Sequence, residues 1–214
     1  MTFYEFVEGP LWQVAVGVFL VGVAWRIIAM LMIGKPKDLS VAQHSSIGGA
    51  AKAILLHSVP HGGNAPRTLY HVVSGYMFHL GLFALVLLAA PHIAFINENI
   101  IGVPWPALPR WGFIIVAEAA FAGLLLLYIR RLTDPVTRLL TDWGDHLGTW
   151  LTFLAMLTGC LALQEAHAGL RILHMLSVEA LLIYFPFSRL MHAFTFIFSR
   201  GHTGATYGRR GFTP

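Results

Sequence analysis

Long apolar runs constrain this chain more than any other feature of its sequence. Five segments come close to the ~20 residues that a helix needs to cross a bilayer, at about 11–33, 69–90, 111–129, 147–163 and 172–191. Only 11% of the residues are charged, against about 25% in soluble domains. The sequence therefore predicts an all-α integral membrane protein, a five-helix transmembrane bundle in which residues 1–214 form a single domain.

Lys and Arg alternate between the two sides of these segments. The second loop has only Arg110 and the fourth only Arg171, whereas the first loop, the third loop and the C-terminal end are rich in both. Because cytoplasmic loops carry an excess of basic residues, we predict that the N-terminus lies outside and the C-terminus in the cytoplasm. The residues that decide this are Lys35, Lys37, Lys52, Arg67, Arg130, Arg131, Arg138, Arg189, Arg200, Arg209 and Arg210.

Two histidines in the last apolar segment, His174 and His192, are eighteen positions apart. On one α-helix this is five whole turns, so both imidazoles would project from one face, about 27 Å apart along the axis. That rise is close to the hydrocarbon thickness of a bilayer, and a neutral imidazole is a good axial ligand of haem iron. The spacing predicts one haem near each membrane surface; two ordinary polar residues near helix ends are the alternative.

Helix two offers His71 and His79 as the other ligands. Since this helix starts on the inside, the predicted pairs are His71 with His192 for an inner haem and His79 with His174 for an outer haem. Their eight-residue spacing leaves a rotation error of about 80° and a rise of only about 12 Å, which tilt or a local break at Gly75 would have to absorb. A single haem, with His71 or His79 surplus, is the alternative.

The run FPFSRLMH at residues 185–192, with His174 eighteen positions before its end, resembles the final helix of the cytochrome b (gamma) subunit of respiratory nitrate reductase. Related subunits of sulfite-reduction and heterodisulfide-type complexes are similar. The chain length, five spans and predicted topology agree, so the resemblance covers nearly the whole chain. It implies two b-type haems, with His174 as a ligand of the outer haem and His192 as a ligand of the inner haem. Helix two would give the other two ligands.

Helix two departs from the nitrate reductase pattern. That family has two histidines ten positions apart, the first in a phrase like FHxGI. Residues 78–82, FHLGL, resemble this phrase, but Ala89 stands ten positions after His79. The register that begins with Arg67 and places His71 four positions later resembles the sulfur-metabolism branch instead, so the type of catalytic partner is left open.

Charged residues within or beside the apolar segments are candidates for function, because they are costly in a bilayer. Glu118 and Glu179 are both intramembrane in this topology. Glu179 is a candidate for contact with a quinol headgroup or for a proton path, and a protonated acid that faces the bundle is the alternative. Arg189 is placed to bond a haem propionate at the cytoplasmic surface, with ordinary snorkelling as the alternative.

The other histidines have less specific surroundings. His146, at the cytoplasmic start of helix four, is the reserve haem ligand. His92 and His167 are predicted outside, near the helix ends where a quinol would enter. Three more in the first cytoplasmic connection are interpreted as surface or partner-docking residues rather than metal ligands: His44, His57 and His61.

Together these observations predict transmembrane electron transfer by a di-haem b-type cytochrome. A membrane quinol would be oxidised at the outer side, and electrons would pass to a cytoplasmic iron–sulfur subunit and a catalytic subunit. The single cysteine, Cys160, excludes cysteine-ligated zinc or iron–sulfur centres within this chain. We expect the quinol-reacting anchor subunit of a respiratory oxidoreductase in a bacterial or archaeal cytoplasmic membrane, with basic loops that suit an acidic partner surface.

Two other classes stay open at this point. One is a haem-free transporter in which Glu118, Glu179 and the histidines form a proton relay, and the other is a haem-free membrane anchor. Five spans without an inverted repeat argue against the common transporter folds. A b-type absorption spectrum of the purified protein distinguishes the haem-containing class from both.

Overall fold

The computed structural model of the chain describes residues 1–34, 39, 41–56, 58–59, 63, 65–163 and 167–212. All regular secondary structure in these ranges is helical, which confirms the all-α prediction for them. Val7–Leu11 and Asn97–Ile101 are π-helical segments. The α-helices are α1 (Phe3–Phe6), α2 (Trp12–Met32), α3 (Ser46–Leu56), α4 (Ala65–Leu88), α5 (Ala90–Ile96), α6 (Arg110–Thr133), α7 (Pro135–Leu139), α8 (Trp143–Ala162), α9 (Ala168–Tyr184) and α10 (His192–Arg209).

Four helical stretches in the described part of the chain are long and apolar enough to cross a membrane: Phe3–Met32, Ala65–Leu88, Arg110–Thr133 and Ala168–Phe187. They overlap four of the five predicted spans. The remaining prediction, residues 147–163, falls on α8, which is helical over 20 residues but is not among the four. The polar side chains that α8 carries lower its hydropathy.

The chain divides into two compact units. The first consists of Met1–Trp12 with Thr68–Leu181, and the second of Gln13–Arg67 with the chain from Leu182 onward. In the first unit, a Cβ atom on Gly81 of α4 would lie 2.7 Å from the Cβ of Ala120 on α6, so these two helices pack closely. α8 joins them around an apolar core: Leu85, Ala117, Ala120, Leu124 and Met156.

In the second unit, α3 and α10 pack through small residues. A Cβ atom on Gly49 would overlap the carbonyl oxygen of Gly204, and one on Gly204 would overlap the side chain of Ala53. The backbone amide of Gln43 also donates to the carbonyl of Arg209 at 2.8 Å. Close backbone approach between glycines therefore holds this helix pair together.

The last predicted span is not one continuous helix. α9 ends at Tyr184 and is followed by a 3₁₀ turn, Phe185–Phe187. Ser188 is extended, with φ −115° and ψ 174°, and α10 begins only at His192. Pro186 explains the break, because proline lacks the N–H that would continue the helix and clashes with the preceding turn. The expectation that His174 and His192 share one face of a single helix over five turns is therefore wrong.

Candidate functional site

His92 hydrogen-bonds to the carboxyl end of α4, in the first unit. The last carbonyl groups of an α-helix have no partner within the helix. The Nδ1 atom of His92 lies 3.1 Å from the carbonyl oxygens of both Leu85 and Val86. Because a carbonyl can only accept, we assign the ring proton to Nδ1, which leaves the lone pair of the neutral imidazole on Nε2.

The connection that follows α5 satisfies the next two carbonyls of α4. The indole Nε1 of Trp105 donates to Leu87 at 2.7 Å, and the backbone amide of Leu108 donates to Leu88 at 2.9 Å. Gly102, with φ 77°, reverses the chain in the left-handed conformation that favours glycine. The helix end, its connection and His92 are thus fixed to one another by hydrogen bonds.

His174, on α9, is held from the side of α8. The hydroxyl of Thr158 donates to the carbonyl of Leu154 at 2.7 Å, so its oxygen can accept from Nδ1 of His174, 3.3 Å away. Ser177 donates to the carbonyl of His174 at 2.7 Å and lies 2.9 Å from the same threonine hydroxyl. This network also assigns the proton to Nδ1 and the lone pair to Nε2.

The rings of His92 and His174 lie near one another in almost parallel planes. Their centroids are 6.0 Å apart and the planes differ by 25°. A bond from a metal to an imidazole nitrogen is about 2 Å long and the ring centre lies about 1 Å behind that nitrogen, so two rings that share one metal have centres about 6 Å apart. Two imidazoles at this spacing, each with its proton on Nδ1, are candidates to hold one metal-containing cofactor.

Gly159, on α8, makes room for one of these rings. A Cβ atom at this position would lie 2.9 Å from Cε1 of His174 and 3.3 Å from its Nδ1. Any larger side chain would therefore displace the imidazole. The glycine is part of the site for steric reasons rather than for a special backbone conformation.

Two predicted ligands outside this pair have the same Nδ1 arrangement. Nδ1 of His79 lies 2.7 Å from the carbonyl oxygen of Gly75, and Nδ1 of His192 lies 2.9 Å from that of Arg189. Each carbonyl fixes the ring proton on Nδ1, which is the tautomer that a metal-binding Nε2 requires. The side chain of Arg189 is exposed, and its bond to a propionate stays a prediction.

The structure brings His92 close to His174, because α4 ends at Leu88 and the chain returns His92 toward the helix that it has just left. The pairing of His79 with His174 stays a prediction. His71 is exposed on α4. Its role and that of His192 as ligands stay predictions.

The two intramembrane carboxyl groups have different surroundings. Glu179, on α9, is 2% exposed, and within the described part of the chain neither of its carboxyl oxygens has a hydrogen-bond partner. Glu118, on α6, is exposed. Since a buried carboxylate without a partner is costly, Glu179 is the stronger functional candidate of the two.

The remaining histidines that the structure describes have other surroundings. Nδ1 of His146 lies 3.1 Å from the hydroxyl of Tyr128. His44 and His167 are exposed. His57 and His61 lie outside the described residues.

From the sequence, His92 is predicted only to lie near a quinol entrance. The signal that could have identified it is the run of Ala90, Pro91 and His92 directly after an apolar segment. Proline favours the first position of a new helix, so it places the following histidine beside the unsatisfied carbonyls of the helix before it.

Comparison with known proteins adds no activity. No family model matches the chain. The chain is 29% identical over 218 aligned positions to a protein of Nitratidesulfovibrio vulgaris (strain Hildenborough), with 97% of this chain and 95% of the relative covered. The relative is named only "Protein", so the comparison shows a similar chain of similar length but indicates no function.

Proposed function

We propose that this chain is a b-type cytochrome subunit of a membrane oxidoreductase, in which His92 and His174 would hold one haem. The observation that carries the proposal is the near-parallel imidazole pair with centroids 6.0 Å apart. Haem, when bound, supplies a reversible one-electron carrier. The carbonyl groups beside His92 and the hydroxyl of Thr158 orient the two rings and raise the basicity of their Nε2 atoms.

The proposal includes the second haem of the sequence analysis, with His192 as one ligand and His71 or His79 as the other. Support comes from the hydrogen bonds of His79 and His192, whose Nδ1 atoms each bond a backbone carbonyl. Of the two helix-two histidines, His79 has the bond that favours the ligand tautomer.

We further propose that α8 crosses the membrane as a fifth span and that the N-terminus lies outside. Twenty residues of helix are about 30 Å long. The hydroxyl groups within α8 donate to carbonyls of the same helix: Thr149 to Asp145 at 2.8 Å, Thr152 to Gly148 at 2.8 Å and Thr158 to Leu154 at 2.7 Å. Satisfied hydroxyl groups reduce the cost of burying these threonines in a bilayer.

In this proposal, a quinol is oxidised at the outer side of a bacterial or archaeal cytoplasmic membrane, and electrons leave to a cytoplasmic iron–sulfur subunit and its catalytic partner. The partner is of the nitrate reductase type or of the sulfur and heterodisulfide type. The arrangement requires that the His92–His174 pair face the outer side, since the quinol site lies there.

A specific observation favours a second candidate, a haem-free proton-relay transporter. Glu179 is buried and unpartnered in the described part of the chain, as a carboxyl group that exchanges protons within a membrane could be. For this candidate, Glu179→Gln would abolish proton flux into proteoliposomes made with a colourless protein.

The test is haem stoichiometry of the purified full-length protein, expressed with ample haem supply and measured by the pyridine haemochromogen assay. We expect two haems for the wild type and one each for His92→Ala and His174→Ala. His167→Ala, which removes an exposed histidine, is the control and should keep both.

A colourless wild type would overturn the proposal. Full haem content in His92→Ala together with loss of a haem in His79→Ala would instead restore the pair that the sequence predicts for the outer haem.

A further inference from the structure

A second polar cluster lies in the first unit, where the end of α6 meets the start of α8. The indole Nε1 of Trp150 donates to the hydroxyl oxygen of Tyr128 at 3.3 Å. The same hydroxyl lies 3.1 Å from Nδ1 of His146. These three side chains form one chain of hydrogen bonds from indole to phenol to imidazole.

The direction of this chain determines the tautomer of His146. Within the described part of the chain, Nδ1 of His146 is the one acceptor within hydrogen-bond distance of the Tyr128 hydroxyl, so we assign the single phenol proton to that bond. If Nδ1 accepts, the neutral imidazole carries its proton on Nε2. No hydrogen bond in the described part of the chain uses that Nε2–H, so His146 presents an unused donor.

Two tryptophan rings pack against this hydrogen-bonded chain. The ring of Trp143 meets His146 edge to face with centroids 6.0 Å apart, and Trp150 meets Tyr128 in the same way at 5.7 Å. Trp143 is 86% exposed and Trp150 is 53% exposed, so the cluster is open on the outside of the helices. A flat aromatic ligand could approach the donor between such rings.

The neighbouring charge is already neutralised. Arg131 pairs with the carboxylate of Asp145 at 3.1 Å, and the side chain of Asp145 is 3% exposed. The arginine also donates to the hydroxyl of Thr141 at 3.3 Å. An anionic headgroup would find no unpaired cation in this ion pair, so the cluster favours a neutral acceptor.

We infer that Tyr128, His146 and Trp150 form a quinone-binding site, in which the Nε2–H of His146 donates a hydrogen bond to a quinone carbonyl oxygen. The ligand class follows from the chemistry: a neutral, flat, apolar ring with a carbonyl acceptor that reaches an exposed aromatic cluster on apolar helices. The inference rests on the proposed function for the presence of quinones as substrates. It adds a second binding site, away from the His92–His174 pair, and assigns His146 to hydrogen bonding rather than to its reserve role as a haem ligand.

The experiment measures binding of menadione, a quinone without a tail, to the purified full-length protein in lipid nanodiscs. Quenching of tryptophan fluorescence gives the affinity, and photolabelling with 2-azido-1,4-naphthoquinone followed by peptide mapping gives the location. We expect label on the peptides that contain residues 128 and 143–150. We expect about tenfold weaker binding for His146→Phe, the loss of one useful hydrogen bond.

Two further variants keep the test decisive if His146→Phe does not fold. His146→Gln retains an N–H donor near the position of Nε2 and should recover most of the affinity. Tyr128→Phe removes the hydroxyl that sets the tautomer and should weaken binding less than His146→Phe does. His202→Phe, which replaces an exposed histidine of α10, is the matched control and should bind menadione as the wild type does.

The haem spectrum of each sample separates this inference from the proposed function. A colourless protein that still binds menadione in a His146-dependent way would retain the quinone site and overturn the cytochrome proposal. A protein with full haem content whose menadione affinity is the same in His146→Phe, or whose label falls only on other peptides, would overturn the quinone site. Loss of one haem in His146→Phe would do the same, because it would make His146 a ligand.

Discussion

The two ends of α8 hold histidines through opposite hydrogen-bond arrangements. Near its carboxyl end, the hydroxyl of Thr158 donates its proton to a helix carbonyl, so Nδ1 of His174 is the donor in the bond between His174 and Thr158. Near its amino end, the Tyr128 hydroxyl accepts from an indole and is assigned to donate its own proton to Nδ1 of His146, which is the acceptor. The first ring keeps a lone pair on Nε2 and can bind a metal, whereas the second keeps a proton there and can bind a carbonyl.

This difference shows that residue type and approximate depth do not decide what an intramembrane histidine does. Both histidines lie near helix ends, His146 within α8 and His174 on α9 with its ring against α8. What separates them is whether the partner of Nδ1 still has a proton to give. Thr158 donates its proton to the carbonyl of Leu154, whereas Tyr128 accepts from Trp150 and keeps its own proton for His146.

The largest expected effect comes from replacing His174 and His146, one at a time, with glycine. His174→Gly should lose one haem, and millimolar imidazole added during reconstitution should restore it by occupying the vacated ligand position. His146→Gly should keep both haems with or without imidazole. Absorbance of the haem band measures this, and equal haem loss in the two variants would erase the distinction between the two ends.

Removing the ion pair beside His146 should destabilise that end of α8. Arg131→Gln leaves the carboxylate of Asp145 without its cation at a site where it is 3% exposed. We expect a loss of about 2 kcal/mol, below the full cost of breaking a buried pair because the arginine is partly exposed. Thermal unfolding followed by circular dichroism in detergent measures it.

Arg138→Gln is the matched control for this variant. Arg138 is exposed and forms no ion pair within the described part of the chain. The control should unfold as the wild type does, and an equal loss of stability in both variants would show that the pair contributes nothing of its own.

A smaller effect is expected from the hydroxyl that orients His174. Thr158→Val keeps the shape of the side chain but removes the acceptor for Nδ1, which makes Nε2 a weaker electron donor. The oxidised haem is then stabilised less, so the midpoint potential should rise by an amount on the order of tens of millivolts.

Thr152→Val provides the comparison for that shift, because the hydroxyl of Thr152 donates to the carbonyl of Gly148 at 2.8 Å and has no other hydrogen bond among the described residues. Redox titration should find its potential unchanged. An equal shift in both valine variants would point to a general change in α8 rather than to the bond with His174.

The smallest expected effect is a pH dependence of the hydrogen bond that Asp134 makes at the start of α7. The backbone amide of Thr137 donates to the carboxylate of Asp134 at 2.8 Å and caps α7, and this bond lowers the pKa of Asp134 below its ordinary value. A lowered pKa means that the cap stabilises the fold above the ordinary carboxyl range and is lost as the pH falls through the lowered pKa.

Hydrogen exchange at Thr137, corrected for the intrinsic rate, checks this prediction. In the wild type, protection should fall several-fold in acid, whereas Asp134→Ala should show the low protection at every pH. A pH-independent wild type would contradict it.

Much of the fold could be predicted from the sequence, because long apolar runs have few ways to fold. Four predicted spans coincide with helices that are long and apolar enough to cross a membrane. The break at Pro186 was also visible in principle, since proline disrupts a helix interior. The eighteen-residue spacing of His174 and His192 places both on one face only if the helix is continuous, and Pro186 interrupts it.

The candidate site was less predictable. The position of His174 in an apolar segment makes it a candidate ligand, whereas its contact with His92 is not predicted from the sequence. The role of His92 depends on where α4 ends and on which carbonyls are left unsatisfied there. Such a contact joins residues across a turn, and hydropathy carries no information about it.

The glycine contact between α3 and α10 has a consequence for synthesis of the chain. Gly49 and Gly204 lie about 150 positions apart in the sequence, yet each occupies space that the other must leave free. During translation, α3 therefore cannot pack against α10 until all the intervening helices have been made and inserted. A ribosome that stops before Gly201 would release a chain with complete apolar helices but an unpaired α3, and such a product is a natural substrate for proteolytic quality control.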